Sequence, residues 1–406
     1  MIRMFLVKTI DYYTIGYPVI MSILWSIGAY FSKIYYSHEQ EMDSYPRVSI
    51  VLSAYNEEET IKEAMMALEQ VDYPNLEIIV VDDKSTDQTL AILEEIQRKF
   101  DVKKKLRVIA QKQNAGKANA LNTALRKVTG KYMLVIDADA LLARDSVKLL
   151  ASELEKKYSV GAVTGKPVVR NRSTLLGKLQ TLEYIGIIDG IKRTQTFMIG
   201  TITTVSGVIV MYRVKGLKEI GGFHTEVMTE DIDMTWRLYQ NGWQVIYHYR
   251  ALAYILVPEH YFGLLRQRKR WAVGGLEVLI SNFSWVFKEG DLKYKLLLTE
   301  MILSHLWGWS FVFSTFNYFL TVYFRKEFHI AGGIVVLFMS LSIILFWVGI
   351  NGDEQDSQLL FKDKLTVPVY LLFYWLINII SAILSEFVVA TGNTGKGKWE
   401  SPDRGI

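Results

Sequence analysis

Four long stretches without a charged residue constrain the fold more than any other feature of the sequence. A bilayer core about 30 Å thick is spanned by about 20 apolar helical residues, and a charge near its centre is costly. The stretches that meet this requirement are residues 12–32, 301–324, 328–352 and 365–385. A soluble fold has little need for three such segments close together near its C-terminal end, so we predict four transmembrane helices.

The first stretch is predicted to be a retained membrane anchor. Lys33-Ile34-Tyr35-Tyr36 follows it, which is not the small-residue motif of a cleaved signal peptide. A fifth uncharged stretch, residues 194–212, contains enough threonine, serine and glycine to be too polar for lipid. We expect this stretch to be a loop followed by a buried strand at 205–212.

Residues 33–300 are sufficient for one soluble domain on one face of the membrane. The chain has no cysteine, which excludes disulfides, zinc–thiolate sites, iron–sulfur clusters and cysteine nucleophiles. Its 46 basic and 42 acidic residues give a formal net charge of +4, too small to indicate nucleic-acid binding. Its six histidines include no pair at helical metal-ligand spacing, so we do not expect a zinc enzyme.

Short apolar runs alternate with amphipathic segments in the first part of this domain. The predicted strands are 48–52, 76–81, 106–110 and 132–136, and the predicted helices are 57–70, 86–100 and 115–128. Such alternation builds a mostly parallel sheet covered by helices on both faces. The predicted fold class is therefore α/β, with an α-helical transmembrane bundle attached. Ligands of such sheets lie beyond the carboxyl ends of the strands.

Polar clusters follow three of the four predicted strands. They contain Tyr55 and Glu57 after the first strand, Asp82 and Asp83 after the second, and Asp137-Ala138-Asp139 after the fourth. Converging carboxylates need a positive or donating group between them. Two carboxylates on one turn suit a hard divalent cation that also takes phosphate oxygens, although many surface turns carry the same pattern. Asp87, a little further on, is better explained as a helix cap.

Two more clusters lie later in the domain, and each has a purely structural explanation. Thr229-Glu230-Asp231 precedes a helical segment at 232–240, where acidic residues complement the helix dipole. Gln267-Arg268-Lys269-Arg270-Trp271 closes the domain, where basic residues can face acidic lipid headgroups. Residues 114–122 are typical of a loop entering a helix, with Lys117 available to anionic or ribose oxygens. The sequence contains no Walker A motif and no Gly-x-Gly-x-x-Gly after the first strand.

Taken together and in this order, the clusters resemble the family 2 glycosyltransferases, specifically the membrane-embedded processive synthases related to cellulose, chitin and hyaluronan synthases. The motifs that carry the resemblance are Asp82-Asp83, Asp137-Ala138-Asp139, Thr229-Glu230-Asp231 and Gln267-x-x-Arg270-Trp271, within residues 48–285. Residues 116–122, 191–196 and 401–405 are similar to the branch of the family that makes poly-β-1,6-N-acetylglucosamine. The resemblance implies a GT-A type nucleotide-sugar-binding domain with a mixed, mostly parallel sheet.

The resemblance also implies an inverting transfer from a UDP-sugar and a role for each cluster. Asp231 would be the general base, assisted by Glu230, while Asp139 and Asp137 would hold a divalent cation, Mg²⁺ or Mn²⁺. The residues expected to bind the nucleotide sugar are Tyr55, Glu57, Asp83, Lys117 and Asp137, with the uracil on Asp83. Gln267, Arg270 and Trp271 would hold the diphosphate and the acceptor end, with a sugar ring stacked on the indole.

The implied reaction is processive transfer of N-acetylglucosamine from UDP-GlcNAc to a growing β-1,6-linked polysaccharide, coupled to its passage across the membrane. The implied partners are UDP-GlcNAc, the polysaccharide, the lipid bilayer and a small membrane accessory subunit, with no nucleic acid. The implied location is the plasma membrane of a bacterium, with the catalytic domain cytoplasmic. The predicted units are an anchor (1–36), the GT-A domain (45–257), interfacial amphipathic helices (258–297), three transmembrane helices (298–390) and a tail (391–406).

Other functions remain open at this point. A polymerase of the hyaluronan or chitin synthase type uses the same motifs. A polyprenyl-phosphate glycosyltransferase shares the aspartate clusters but does not need Gln267, Arg270 and Trp271. A non-catalytic membrane scaffold is disfavoured because the acidic residues are intact. A fifth membrane-inserted segment near 271–287 would reverse the side of the tail.

Overall fold

The computed structural model describes residues 2–35, 42–100, 105–325 and 359–392, with six single residues between 340 and 350. The strands are β1 (Val48–Ala54), β2 (Leu76–Asp82), β3 (Leu106–Ala110), β4 (Tyr132–Asp137), β5 (Leu141–Leu142), β6 (Val160–Val169), β7 (Ile209–Arg213) and β8 (Gln244–Ile255). The first helices are α1 (Ile2–Tyr35), α2 (Ile61–Glu69), α3 (Thr89–Lys99), α4 (Lys117–Leu125), α5 (Ser146–Lys156), α6 (Leu175–Glu183) and α7 (Gly190–Thr194). The later helices are α8 (Val214–Glu219), α9 (Glu230–Gln240), α10 (Tyr261–Lys288), α11 (Leu292–Arg325), α12 (Phe361–Lys364), α13 (Val367–Val369) and α14 (Trp375–Ala390).

Three π-helical segments continue this helical structure. Tyr184–Asp189 joins α6 to α7, Gln195–Ile199 follows α7, and Tyr370–Tyr374 joins α13 to α14. Residues 175–199 therefore form one helical run in which α and π geometry alternate. Such π segments are frequent at functional sites because the extra residue in the turn redirects the following side chains.

An eight-stranded sheet with the order β3-β2-β1-β4-β7-β6-β8-β5 lies at the centre of the soluble domain. β1 is parallel to β2 and β4, and β2 is parallel to β3, whereas β7 is antiparallel to both β4 and β6. The predicted mixed sheet is thus confirmed, and its parallel half is β3-β2-β1-β4. The register sets Ala54 beside Asp82 and Ser53 beside Asp137, so the polar strand ends meet at one edge.

Both faces of the central strands are buried, which explains why apolar residues dominate them, with a few buried polar residues such as Ser49 and Glu77 between. On one face Ile50 and Ile78 pack in a cluster with α2, α3 and α5 residues. On the other face Val51 and Ile79 pack in a cluster that includes Trp236 of α9. Successive strand residues point to opposite faces, so alternate positions belong to different cores. The prediction of helices on both sides is confirmed.

The predicted helices start earlier than those observed because the first polar residues form cross-loop hydrogen bonds. The predicted helix at 57–70 begins at Ile61, that at 86–100 begins at Thr89, and that at 115–128 begins at Lys117. The Asn56 side-chain oxygen accepts a hydrogen bond from the Thr86 backbone N–H at 2.8 Å. The Asn56 N–H in turn donates to the Ser85 hydroxyl at 3.0 Å. These bonds join the loops after β1 and β2 at the expense of helical geometry.

The prediction for residues 194–212 was right that a loop leads into a buried strand, but residues 194–199 are helical and the strand begins later than predicted. The strand begins at Ile209, and a π-helical segment reaches Ile199 before the irregular stretch starts. The strand starts late because the Val205 and Ser206 N–H groups donate to side-chain hydroxyls of α9 and β6, at 3.2 and 2.9 Å, instead of to a neighbouring strand.

Three helices in the described part of the chain are long and apolar enough to cross a membrane: Phe5–Ile34, Leu292–Phe324 and Phe361–Ala390. They contain the predicted spans 12–32, 301–324 and 365–385, so the chain is a membrane protein. The predicted span 328–352 lies largely outside the described residues, as does the tail beyond 392. Hydrogen bonds connect α1 to α11, where Tyr13 donates to the Leu303 carbonyl at 2.7 Å. Glu386 of α14 lies 2.9 Å from His305 Nδ1 of α11.

The segment after the domain differs in detail from the prediction of several interfacial helices at 258–297. One helix, α10, covers Tyr261–Lys288, and α11 begins at Leu292, so residue 298 lies within α11. Lys293, Tyr294 and Lys295 of this segment therefore lie on α11, whereas Gln267, Arg270 and Trp271 lie on α10. Only the glycine at 290 and its neighbours separate it from the next helix.

Candidate active site

Lys117 occupies the centre of the acidic strand ends. Its Nζ lies 2.7 Å from Asp137 Oδ1 and 3.1 Å from Glu230 Oε1. Burial alone would lower the pKa of Lys117, but Asp137, Glu230 and Asp231 together raise it above its ordinary value. The lysine is therefore a permanent cation, and it allows carboxylates from β4 and α9 to approach one another. We expected Lys117 to lie near the nucleotide, whereas in the structure its ammonium contacts these carboxylates.

The loop before α4 brings Lys117 to this position. Gly116 has a φ of +85°, in the region that favours glycine, and α4 begins at the next residue. Asp83 holds the loop: its carboxylate accepts hydrogen bonds from the Ala115 and Gly116 N–H groups at 3.0 and 2.7 Å. Burial raises the pKa of Asp83 although these two amides oppose the shift. A carboxylate has about four acceptor positions, so Asp83 retains capacity for a ligand donor.

Glu230 and Asp231 open α9, and their environments differ. The Asp231 carboxylate accepts hydrogen bonds from the Gly207 N–H at 3.0 Å and from the Ile232 N–H at 2.9 Å. Burial, and then the charge of Glu230, raise the pKa of Asp231. Burial also acts on Glu230, but Lys117, the backbone at the helix start and Arg270 together outweigh it, and the pKa of Glu230 is lowered. Neighbouring acids with pKa values shifted in opposite directions are suited to different roles, one as a proton acceptor and one as a fixed charge.

Asp137 is the last residue of β4 and Asp139 lies on the turn after it, where the sequence predicted a metal site. Lys117 binds one oxygen of Asp137, and Asp139 is largely buried. Within the described ranges, no group of three or more acidic, histidine or cysteine side chains is placed to hold a metal. Mg²⁺ needs only one or two carboxylates when substrate phosphates complete its shell. The pair therefore fits a cation that binds together with a diphosphate, and does not fit an all-protein metal centre.

Tyr55 and Glu57 follow β1 at the same edge of the sheet. Tyr55 is partly exposed there, whereas Glu57 is buried and accepts a hydrogen bond from the Thr60 hydroxyl at 2.8 Å. Their role in nucleotide binding stays a prediction. Asp87 accepts hydrogen bonds from the Thr89 and Glu58 N–H groups at 2.9 and 3.1 Å, so it binds the first backbone N–H of α3, although the residue at the cap position is Gln88.

α10 carries the Gln-x-x-Arg-Trp residues to the start of α9. A Cβ at Gly274 would lie 2.0 Å from Thr229 Oγ1, so this close approach requires glycine. Arg270 is near enough to lower the pKa values of both Glu230 and Asp231, although burial is the larger influence on each. The buried Gln267 Oε1 has no hydrogen-bond partner within the described part of the chain. Trp271 packs against a buried cluster that contains Ala140, next to the Asp139 turn.

The helical run 175–199 supplies site residues that sequence analysis did not assign. Lys192 Nζ donates to the Ser206 hydroxyl at 2.5 Å, beside the Gly207 amide that binds Asp231. Burial lowers the pKa of Lys192 to about 8, although Asp231 and Asp189 oppose the shift. Asp189 is bound by Arg193 at 2.7 Å and by the Tyr247 hydroxyl at 2.5 Å. The sequence feature that could have revealed these site residues is the group of charges at 189, 192 and 193 within an otherwise apolar stretch.

A mixed α/β sheet with carboxylates at its strand ends, joined to helices long and apolar enough to cross a membrane, is consistent with a membrane-bound glycosyltransferase. Residues 46–274 match the family model described as glycosyltransferase like family 2. The chain belongs to glycosyltransferase family 2, and it is an enzyme of that family. The resemblance inferred from the ordered motifs is thus confirmed.

Relatives align along nearly the whole chain. A Staphylococcus epidermidis protein named poly-β-1,6-N-acetyl-D-glucosamine synthase is 33% identical over 411 residues, covering 96% of this chain and 97% of the relative. A protein of the same name from Staphylococcus aureus strain COL is 32% identical over 407 residues, with the same coverage. A mannosyltransferase from Pyrobaculum calidifontis, solved with GDP-Man and Mn²⁺, is similar with a TM-score of 0.66 over 94% of this chain and 97% of its own. At 19% identity, that similarity supports the fold alone.

Proposed function

We propose that this enzyme transfers N-acetylglucosamine from UDP-GlcNAc to a growing β-1,6-linked polysaccharide and that it does so processively. The observation that carries the proposal is the alignment with two proteins named as synthases of this polymer over 96% of the chain. That alignment includes the membrane helices as well as the catalytic domain. A soluble-domain match alone would suggest only the family.

Asp231 is the general base in this proposal. Its pKa is raised by burial and by Glu230, so it binds a proton more readily than an ordinary aspartate. The acceptor hydroxyl loses its proton to Asp231 while its oxygen attacks the anomeric carbon, and the bond from that carbon to UDP breaks. Attack from the face opposite UDP inverts the anomeric centre. Gly207 and Ile232 hold the carboxylate through their N–H groups and fix its orientation.

The departing UDP carries the negative charge that develops in the transfer. Arg270 offers a planar set of donors to diphosphate, and Lys117, which like Arg270 is close enough to Glu230 to lower its pKa, adds a second cation. Asp137 and Asp139 would hold a divalent cation bound with the diphosphate, which would supply Lewis-acid stabilisation of the leaving group. Lys117 also keeps Glu230 ionised, so its carboxylate can accept a hydrogen bond from an acceptor hydroxyl, and its charge raises the pKa of Asp231 beside it.

The acceptor end of the polymer stacks on the Trp271 indole in this proposal. The side chain lies beside the turn that carries Asp139 and on the helix that passes Thr229, so an acceptor bound there is next to the base. Gln267, whose buried carbonyl oxygen lacks a partner in the described residues, is available to a sugar hydroxyl. Retaining the acceptor between transfers is what would make the enzyme processive.

The same proposal sets the membrane arrangement. UDP-sugars are cytoplasmic, so the catalytic domain faces the cytoplasm of a bacterial cell and the polymer leaves through the plasma membrane. In this arrangement residues 1–36 are the anchor, residues 45–257 the catalytic domain and residues 258–297 the interfacial segment. Residues 298–390 are the transmembrane bundle, and residues 391–406 are the tail. A small membrane subunit assists the chain. The segment at 328–352 is included among the four predicted spans.

Membranes that contain the enzyme, incubated with radiolabelled UDP-GlcNAc and Mg²⁺, test the proposal. We expect insoluble labelled polymer with β-1,6 linkages, and none from membranes that contain Asp231→Asn. A β-1,4 product, or a requirement for a second donor sugar, would instead indicate a chitin or hyaluronan type of synthase. Label confined to a lipid extract would indicate transfer to a polyprenyl phosphate and would refute the polymerase assignment.

A further inference from the structure

A buried ion pair lies where the catalytic domain meets the membrane bundle. Arg268 Nη2 of α10 is 2.5 Å from Glu183 Oε2 of α6, and both side chains are less than a tenth exposed. Two residues of the C-terminal membrane segment complete the cluster. The Tyr374 hydroxyl donates to Glu183 Oε2 at 2.9 Å, and the Asn378 side-chain amide donates to Glu183 Oε1 at 2.7 Å. Glu183 therefore binds three donors from two other elements.

Such a cluster is not explained by stability alone. Two charges removed from water recover their solvation energy only with good geometry and further hydrogen bonds, and an apolar replacement of similar shape is often no less stable. What a satisfied buried cluster does provide is one defined arrangement of the elements that carry it. Here those elements are α6, α10 and the helix that contains Asn378, which belongs to the candidate membrane span Phe361–Ala390.

The guanidinium of Arg268 also contacts the proposed acceptor platform. Its Cζ lies 4.3 Å from the centre of the Trp271 ring, within the distance of a cation–π contact. The guanidinium thus covers part of the Trp271 indole, and the buried cluster that contains Ala140 packs against the same side chain. Glu183 in turn fixes the guanidinium, because the ion pair and the Tyr374 hydroxyl hold the same nitrogen, at 2.5 and 3.4 Å.

We propose that Arg268 is a positioning residue for Trp271, and that Glu183, Tyr374 and Asn378 attach this platform to the membrane bundle. The inference rests on the proposed role of Trp271 in holding the acceptor, and deepens it. The orientation of the indole is then set by the transmembrane segment through which the product is proposed to leave. Arg268 acts on acceptor retention through Trp271 and takes no part in the bond-breaking step.

Arg268→Lys is the informative substitution because it keeps the charge and loses the flat guanidinium that lies against the indole. Product length is measured beside UDP release, with UDP-GlcNAc in excess. We expect the mean product length to fall severalfold while UDP released per folded enzyme stays within about twofold of wild type. Glu183→Gln, which keeps the shape of the side chain and loses the ion pair, should shorten the product in the same direction. Length does not depend on the amount of active enzyme, so reduced yield of a variant does not obscure the result.

Arg213→Lys is the matched control. Arg213 is equally buried, donates to the Leu154 carbonyl at 2.6 Å and lies 5.0 Å from the Tyr158 ring, but on β7 away from α10. This variant should lower yield or thermal stability without changing product length. Equal shortening by Arg213→Lys and Arg268→Lys would mean a general loss of structure and would overturn the inference.

A double mutant separates this inference from the proposed function. If Trp271 holds the acceptor and Arg268 acts through it, Arg268→Lys should add no further shortening to Trp271→Ala. Product of wild-type length from Arg268→Lys, with shortened product from Trp271→Ala, refutes the positioning role and leaves the platform intact. Wild-type length from Trp271→Ala removes the platform itself, and absence of polymer from the wild-type enzyme refutes the proposed function.

Discussion

Replacing Lys117 by Met removes the cation that lies between Asp137 and Glu230 while retaining most of the side-chain volume. At an effective dielectric constant of about 20, unit charges at the observed 2.7 and 3.1 Å attract by roughly 5–6 kcal/mol each. Solvation of the separated groups cancels much of this attraction. Breaking a buried ion pair by removing one partner typically costs about 3–5 kcal/mol. We expect the loss of stability at neutral pH to be in the lower part of that range, because the Asp137 side chain is 32% exposed.

The loss of stability should depend on pH in a definite direction. Lys117 lowers the pKa of Glu230 against the effect of burial. A carboxylate with a lowered pKa contributes stability that is present above its unfolded pKa and is lost as the pH falls through its folded pKa. The difference between wild type and Lys117→Met should therefore be largest at pH 7–8 and should shrink in acid. The substitution also removes a positive charge that lowers the pKa of Asp231, so the acidic limb of activity should move to higher pH.

Thermal unfolding of the detergent-purified enzyme and UDP release, each measured between about pH 5 and pH 9, test both expectations. Lys131→Met is the control, because Lys131 is also paired, 2.6 Å from Glu155, but is 47% exposed. Exposed ion pairs contribute only about 0–1 kcal/mol, so this variant should behave nearly as wild type. A pH-independent loss of stability in Lys117→Met, or an unmoved acidic limb, would refute the assigned electrostatic role.

Four further substitutions test the proposed roles at the site. Asp231→Asn should abolish polymer formation while UDP affinity, measured by calorimetry with Mg²⁺, stays within a fewfold of wild type; a variant that still polymerises would exclude this base. Asp139→Ala should remove both activity and the dependence of UDP affinity on divalent cations, and wild-type activity unaffected by EDTA would exclude the cation. Trp271→Ala should shorten the polymer severalfold and still release UDP, whereas Arg270→Lys should depress both outputs; unchanged length in the former would leave Trp271 as a membrane-interface anchor.

Three of the predicted membrane segments and the parallel half of the sheet were predictable because their signals are local. An uninterrupted apolar run of about 20 residues is decided by the cost of placing charges in lipid, whatever surrounds it. Apolar strands that alternate with amphipathic helices likewise specify a covered parallel sheet. The carboxyl-end rule then indicated where Asp83, Asp137 and Asp139 would meet. Family assignment followed from the order of the motifs.

The partners of those residues were decided by the tertiary structure. Lys117 was expected near a ligand, yet its ammonium lies between carboxylates from β4 and α9, which are 93 residues apart in sequence. Arg268 occupies a position of the Gln-x-x-Arg-Trp motif for which the sequence indicated no role. Its ion pair with Glu183 joins residues that are 85 apart in sequence. A buried charge must find an opposite charge or a donor within about 4 Å, and the chain can supply it from any element that folds to that place. Periodicity and composition describe one element at a time, so they identify charges that need partners, whereas only the packing of α4, α6, α9 and α10 determines which partners they have.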